Sequence, residues 1–292
     1  MRAVTGAERG QALAYERALE ERPSPFTALY DHWEQTQWAV GDLDFSADTA
    51  TFEALGDADR KGMVWIFAHR FHAEFNVATL LAPFLAAAPD YEMRLLLATQ
   101  VADEYRHLQC VLRIYDEVFG VKGGLDRVKA LADENMDQVA SMLYEALDEN
   151  VLALRDDSSL DAFIRAVFAY HLIAEGVVAR TAQNLAAGQY EKLGFPGLAA
   201  GQRFVARDEA RHIGIGVSFL RRRMAEDRER TTAVLADAAE LFSSLAERGL
   251  ELGRGLEDVL RDGYGVDSNA FYAEAMRLFA IRMRSIGFFE DD

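Results

Sequence analysis

The pentapeptide Asp-Glu-x-Arg-His occurs twice in this chain, as Asp103-Glu104-Tyr105-Arg106-His107 and as Asp208-Glu209-Ala210-Arg211-His212. Each copy contains Glu-x-x-His. On an α-helix, residues three apart lie about 60° apart around the axis and about 4.5 Å along it, so the carboxylate and the imidazole can reach one common centre. A single such motif in an acidic helical protein says little. Here each copy follows a further glutamate set in an apolar run. Glu74 lies in Phe71-His72-Ala73-Glu74-Phe75-Asn76-Val77, 30 residues before Glu104, and Glu175 lies in Leu172-Ile173-Ala174-Glu175-Gly176-Val177-Val178, 34 residues before Glu209.

A lone carboxylate among such neighbours is costly to bury unless it is paired or bound to metal. The whole unit recurs at an offset of about one hundred residues, like a duplicated helical pair. One Glu from each of two helices, plus Glu-x-x-His from each of two others, is the pattern of a four-helix bundle that holds two metal ions in its core. The expected ligands are Glu74, Glu104, His107, Glu175, Glu209 and His212. Four carboxylates would balance two divalent cations. Oxygen donors with two imidazoles suit iron or manganese better than copper or structural zinc.

The rest of the chain fits an all-α fold. Long stretches rich in Ala, Leu, Glu and Arg carry apolar residues at three- and four-residue intervals, and no alternating strand pattern appears. Helices are expected at about 57–88, with Pro83 kinking or ending the first, then at about 90–119, 125–153, 159–187 and 198–224, followed by about 229–253 and 267–286. Ser158 or Ser159 is the expected N-cap of the fourth. Residues 1–50 read as one short helix and an extended arm containing Trp38. No Ser/Gly linker or low-complexity block marks a boundary, so residues 1–292 are expected to form one domain, a helical bundle with extra helices.

Acids outnumber bases 48 to 31, giving a formal net charge of −17. Such a surface repels phosphates, which argues against nucleic acid and against anionic membranes as partners. The single cysteine, Cys110, rules out an internal disulfide and any cysteine-based zinc or iron–sulfur site. No uncharged apolar run reaches the roughly 18 residues of a spanning helix. The start, Met-Arg-Ala-Val-Thr-Gly-Ala-Glu, has no apolar signal core, so a cytoplasmic location is expected.

With these residues in place, the chain over roughly 38–222 resembles the ribonucleotide-reductase small-subunit superfamily of the ferritin-like fold; Trp38, followed by Asp44-Phe45, looks like its lead-in segment. The similarity is greatest to the ligand-binding oxidases of that group. Glu74-x-x-Val77, with Pro83-Phe84 nine residues after the Glu, looks like their first metal helix, and Tyr170 lies five residues before Glu175. The resemblance implies a di-iron or manganese–iron centre with dioxygen as co-substrate and a small or fatty-acid-like ligand. It also implies an ether cross-link between Val77 and Tyr170, and a homodimer; the electron donor is left open. The repeated pentapeptide, Glu74-Phe75-Asn76 and the 30- and 34-residue intervals also resemble the hydroxylase subunits of bacterial multicomponent monooxygenases, which implies hydroxylation or N-oxygenation of a small metabolite. A reductase small subunit would carry its radical tyrosine four residues after the first motif histidine, where this chain has Val111, and would extend a tail beyond the last helix. Ferritin-like iron storage is the non-enzymatic alternative.

Asp103 and Asp208 are expected to accept hydrogen bonds from the ligand histidines, because a metal-bound imidazole donates its other N–H to a carboxylate or carbonyl. The expected pairing is crossed, Asp208 with His107 and Asp103 with His212, with Arg106 and Arg211 balancing the aspartates; ordinary helix-surface ion pairing is the alternative. His171 shares the Glu175 face and is read as packed beside the site rather than as a ligand. His72 should point elsewhere, His69 could line an entrance, and Cys110 should pack as a small hydrophobe.

Overall fold

The structure, a computed structural model, describes residues 6–136, 138–186, 188–253 and 268–289, and every regular element among them is helical. The helices are α1 (Gly6–Glu21), α2 (Phe26–Gln35), α3 (Ser46–Ala54), α4 (Asp57–Ala87), α5 (Tyr91–Glu117), α6 (Gly124–Asp133), α7 (Gln138–Leu152), α8 (Leu160–Val167), α9 (Arg180–Ala186), α10 (Gln189–Lys192), α11 (Pro196–Glu226), α12 (Arg228–Gly253) and α13 (Ser268–Ser285). Between α8 and α9 the chain continues as a π-helix, Phe168–Ala179, so these three pieces form one continuous rod. That rod, α4, α5 and α11 are the four helices carrying the six expected ligands.

Local chemistry accounts for the helix ends. Asp90 caps α5 by accepting from the Met93 N–H at 2.8 Å, and Ser159 caps α8 by accepting from Ala162 at 3.3 Å. The N-terminus of α11 is capped from a distance: the buried Asp48 carboxylate accepts from Gly197 N and Leu198 N at 2.9 and 2.8 Å. Helix α4 runs through Pro83 to Ala87. The lost hydrogen bond and ring clash cost about 3 kcal/mol, but Leu80, Leu81 and Phe84 around it are all buried. At about 2 kcal/mol each, that burial outweighs the penalty.

Three expectations about elements require correction. The segment read as one helix over 125–153 is two, α6 and α7, and Asn135 Nδ2 donates to the Leu131 carbonyl at 2.8 Å in the break, offering the backbone an alternative to the helix. Residues 1–50 hold two helices and the start of a third, with Trp38 in the irregular stretch between α2 and α3. The π-helical stretch was not expected, because its spacing of apolar residues is uninformative where nearly every position is buried.

Two apolar clusters form the core, one around Phe84, Leu97, Phe163, Tyr170 and Phe219, the other around Phe45, Phe67, Phe71, Val111 and Leu198. Helix α5 enters the first with Met93–Leu97 and the second with Leu108–Val118; α4 does the reverse, with Phe71 in the second and Leu80 in the first. Residues 100–107 of α5, Glu74 of α4 and residues 208–212 of α11 therefore fall where the two clusters meet. The stretch Leu160–Lys192 is long and apolar enough to cross a membrane by length and composition, but 78% of its most apolar window is buried inside the protein.

Candidate metal centre

At that junction the side chains converge into two overlapping groups. Glu74, Glu104, His107 and Glu209 bring one donor atom each within 4.8 Å of one another, and so do Glu104, Glu175, Glu209 and His212. Glu104 and Glu209 belong to both, so two half-sites share two carboxylates, with Glu74 and His107 at one end and Glu175 and His212 at the other. His107 Nδ1 lies 3.2 Å from Glu104, 3.5 Å from Glu74 and 3.5 Å from Glu209. His212 Nδ1 lies 3.0 Å from Glu104, 3.6 Å from Glu209 and 3.8 Å from Glu175. All six residues are buried. The close approach of the two helices at the second half-site depends on Gly216: a Cβ there would sit 2.4 Å from His171 Cβ.

The electrostatics of this cluster call for cations. Burial and the neighbouring Glu209 and Glu104 push Glu175 well above the usual carboxylate range, His212 opposing. Burial also acts to raise Glu104 and Glu209, but in Glu209 the two neighbouring imidazoles of His107 and His212 prevail, and in Glu104 the charge on His212 and the bond to His107 do, so both are lowered. Burial disfavours charge on both imidazoles, yet the carboxylates around them hold His107 and His212 well above their ordinary value. Glu175 Oε2, Glu209 Oε2 and His212 Nδ1 are buried without a hydrogen-bond partner among the described residues. Each such atom costs about 1–3 kcal/mol unless something else satisfies it. Four carboxylates and two imidazoles with unsatisfied inward-facing atoms are positioned for a dinuclear metal site, and the oxygen-rich donor set fits iron or manganese.

Around this ring the two copies of the pentapeptide interlock. Asp208 Oδ2 lies 3.2 Å from His107 Nε2, and Asp103 Oδ2 lies 3.2 Å from His212 Nε2. Arg211 donates to Asp103 Oδ2 at 2.6 Å and to Thr99 Oγ1 at 2.9 Å. Arg106 lies near both aspartates, 3.2 Å from Asp103 and 3.6 Å from Asp208, with its guanidinium 5.5 Å over the Trp38 ring. Trp38 Nε1 donates to Asp208 Oδ2 at 2.7 Å, and its ring stacks on Phe204.

Two residues that sequence reasoning did not single out complete the shell. Trp33 Nε1 donates to Asp103 Oδ1 at 3.0 Å, the counterpart of Trp38 on Asp208. Gln100 Nε2 donates to Glu175 Oε1 at 2.9 Å while its Oε1 lies 3.0 Å from His171 Nε2. Gln100 stands one helical turn before Glu104 on the same face, so the i,i+4 rule could have found it. Nothing in the local sequence ties Trp33 to Asp103. His171 is buried against Gln100 and Phe84, and burial pushes its pKa down to about 3.

Tyr170 is fully buried, edge-on to Phe84, with its hydroxyl 3.5 Å from the Val77 carbonyl oxygen; burial and the nearby glutamates, Glu104 first, push its pKa well above the ordinary value. The remaining histidines of α4 lie apart from the ring. His72 faces Asp133 at 3.3 Å, and His69 packs edge-on against Trp65. Cys110 is buried, and burial raises its thiol pKa.

No protein-family model matches the chain. Among solved structures it is similar to R2-like ligand-binding oxidases. A valine-to-isoleucine variant with an aerobically reconstituted Mn/Fe cofactor superposes with a TM-score of 0.77 at 25% identity, covering 91% of this chain and 95% of that one. A valine-to-leucine variant with an anaerobically reconstituted Mn/Fe cofactor gives 0.77 at 25% identity, over 91% and 94%. A tyrosine-to-phenylalanine variant gives 0.78 at 24% identity, over 91% and 94%. The chain has the ferritin-like helical fold of the ribonucleotide-reductase small-subunit superfamily.

Proposed function

We propose that this protein is a dinuclear-metal oxidoreductase that activates dioxygen, with Glu74, Glu104, His107, Glu175, Glu209 and His212 as ligands to a manganese–iron or di-iron centre. The observation that carries the reading is the pair of half-sites sharing Glu104 and Glu209. The likeness to oxidases with Mn/Fe cofactors supports it. Two reduced metal ions bound there would supply the electrons for dioxygen reduction.

The surrounding residues prepare the site. Asp103 and Asp208 accept from the outer ring nitrogens, which leaves Nδ1 of His212 and His107 directed at the glutamates, where a cation would bind. Trp33, Trp38, Arg211 and Arg106 hold the aspartates in place. Gln100 holds Glu175 by one oxygen, leaving Oε2 for metal. The two apolar clusters exclude water from both ends.

The substrate in this reading is a small or lipid-like molecule. The protein itself is a further target: Tyr170 Oη and Val77 Cβ would join as an ether, losing the phenolic hydrogen and the Cβ hydrogen, with both electrons and protons passing to dioxygen. The approach of the Tyr170 hydroxyl to the Val77 backbone supports this pairing. The same reading takes residues 1–292 as one ferritin-like domain in a cytoplasmic homodimer. A second reading is a di-iron monooxygenase that hydroxylates or N-oxygenates a small metabolite, favoured by the symmetric Asp-Glu-x-Arg-His pair with each aspartate on the opposite histidine.

Intact mass after aerobic loading with iron, or with manganese and iron, tests the reading. Loss of two hydrogens, abolished in Tyr170→Phe, supports the cross-linking oxidase. Dioxygen consumption without mass loss, but with oxygen inserted into an added small molecule, supports the monooxygenase. Metal uptake with no oxygen consumed beyond iron oxidation would sink both in favour of storage.

A further inference from the structure

The rod that carries Tyr170, His171 and Glu175 is π-wound from Phe168 to Ala179 and returns to α at Arg180. In an α-helix the Arg180 N–H would donate to the Gly176 carbonyl four residues back. Here it is directed to the Glu175 and Val177 carbonyls instead. The Gly176 carbonyl accepts from Arg282 Nε at 3.1 Å, reaching across from α13.

Arg282 is 1% exposed. Its other donors go to one residue of α1: Nη1 to the Glu20 main-chain oxygen at 3.0 Å and Nη2 to Glu20 Oε2 at 2.7 Å. The second Glu20 carboxylate oxygen accepts from Arg180, whose guanidinium also donates to the Ala206 carbonyl of α11 at 3.2 Å. Gly176 leaves room for this arrangement. A Cβ there would lie 3.0 Å from Arg282 Nε and 3.0 Å from the His171 carbonyl oxygen. A buried charged cluster adds little net stability over well-packed apolar side chains of similar volume. Apolar side chains, however, could not hydrogen-bond the carbonyl that the π turn directs away from its usual partner.

We propose that the Glu20–Arg180–Arg282 cluster is a clamp that keeps the turn after Glu175 in its π register, so that Arg282 is a positioning residue for the half-site completed by Glu175 and His212. The inference rests on the dinuclear reading above. An α-helix advances about 100° per residue and a π-helix less, so relaxation to α winding would rotate Glu175 relative to Tyr170 and His171. The half-site of Glu74 and His107 draws its terminal ligands from α4 and α5, which the clamp does not touch.

The test is an anaerobic equilibrium titration of the full-length protein with Mn²⁺ alone, read by metal content and by the electron paramagnetic resonance of bound manganese. Wild type, Arg282→Met, Arg282→Lys, Gly176→Ala and Glu175→Gln are compared, with thermal melts alongside. Wild type should fill two half-sites, and Glu175→Gln identifies the binding step that belongs to the second. Arg282→Met and Gly176→Ala should weaken that same step by about tenfold or more and leave the other unchanged, with Arg282→Lys intermediate. General destabilisation would instead weaken both steps together, and that result, or two wild-type steps in the variants, overturns the clamp. Should Arg282→Met fail to fold, Gly176→Ala decides, because it disturbs the same contact from the other side while keeping the charges. Wild type filling fewer than two half-sites overturns the dinuclear reading itself, and the clamp with it.

Discussion

His107 Nε2 lies 3.2 Å from Asp208 Oδ2, although the two residues belong to different copies of the repeated pentapeptide. His212 and Asp103 repeat the relationship at the same distance. Each copy thus supplies its own glutamate and histidine to the ring but borrows the other copy's aspartate to orient that histidine. The two half-sites are therefore coupled twice, through Glu104 and Glu209 inside and through the crossed aspartates outside.

Asp208→Asn and Asp103→Asn should each weaken metal binding by about 10–100-fold, because an amide no longer fixes the imidazole as a carboxylate does. Competition with a chelator of known affinity measures it. Unchanged affinity in both variants would show that the crossed pairs serve the helix surface and not the site.

Shared and terminal glutamates should behave differently. Glu104→Ala and Glu209→Ala each remove a donor from both half-sites and should leave little bound metal. Glu74→Ala touches one half-site only and should leave about one ion per chain held at the Glu175 end. Elemental analysis per protein chain checks this. Retention of two ions by Glu104→Ala would remove the basis for a bridged centre.

The metal-free protein should lose stability as pH rises. For His107 and His212, burial works against the charge but the surrounding carboxylates prevail and raise both. A group raised on folding stabilises fully below its unfolded value of about 6.5 and loses that contribution as pH climbs through the folded value. Glu175, raised by burial and by Glu209, acts in the same direction. Glu209, Glu104 and Asp103 are lowered, so their contribution is complete above about pH 4.5 and fades as pH falls through their folded values. Stability without metal should therefore peak between about pH 4.5 and 6.5. Bound cations replace the protons, so the rise in Tm on metal loading should grow toward alkaline pH. Melting curves with and without metal across about pH 5 to 9 test both signs.

Phe84→Ala should destabilise the metal-free protein by about 3–5 kcal/mol. The ring is fully buried and packs edge-on against Phe163, Tyr170 and His171. Chemical denaturation measures the loss. If the cross-link forms, the same variant should slow it, because the Phe84 ring packs edge-on against the Tyr170 ring.

The sequence by itself determined the helical class, the four helices that matter and the chemical types at the centre. Those signals are local or nearly so: a three-residue spacing within a helix, an apolar flank around Glu74 and Glu175, and the repetition of one word. The general need of a metal-bound imidazole for an acceptor pointed to the aspartates as partners of the histidines, and the tertiary structure shows them crossed. What only the tertiary structure decided depends on contacts between residues far apart in the chain. Trp33 reaches Asp103 across 70 positions, and Arg282 reaches Gly176 across 106, with no spacing rule to announce either. The division of the six side chains into two half-sites, with Glu104 and Glu209 in both, depends on how α5 and α11 face each other. The π winding around Glu175 was hidden for a related reason. Periodicity reports winding only when one face is wet, and nearly every residue from Phe168 to Val177 is buried.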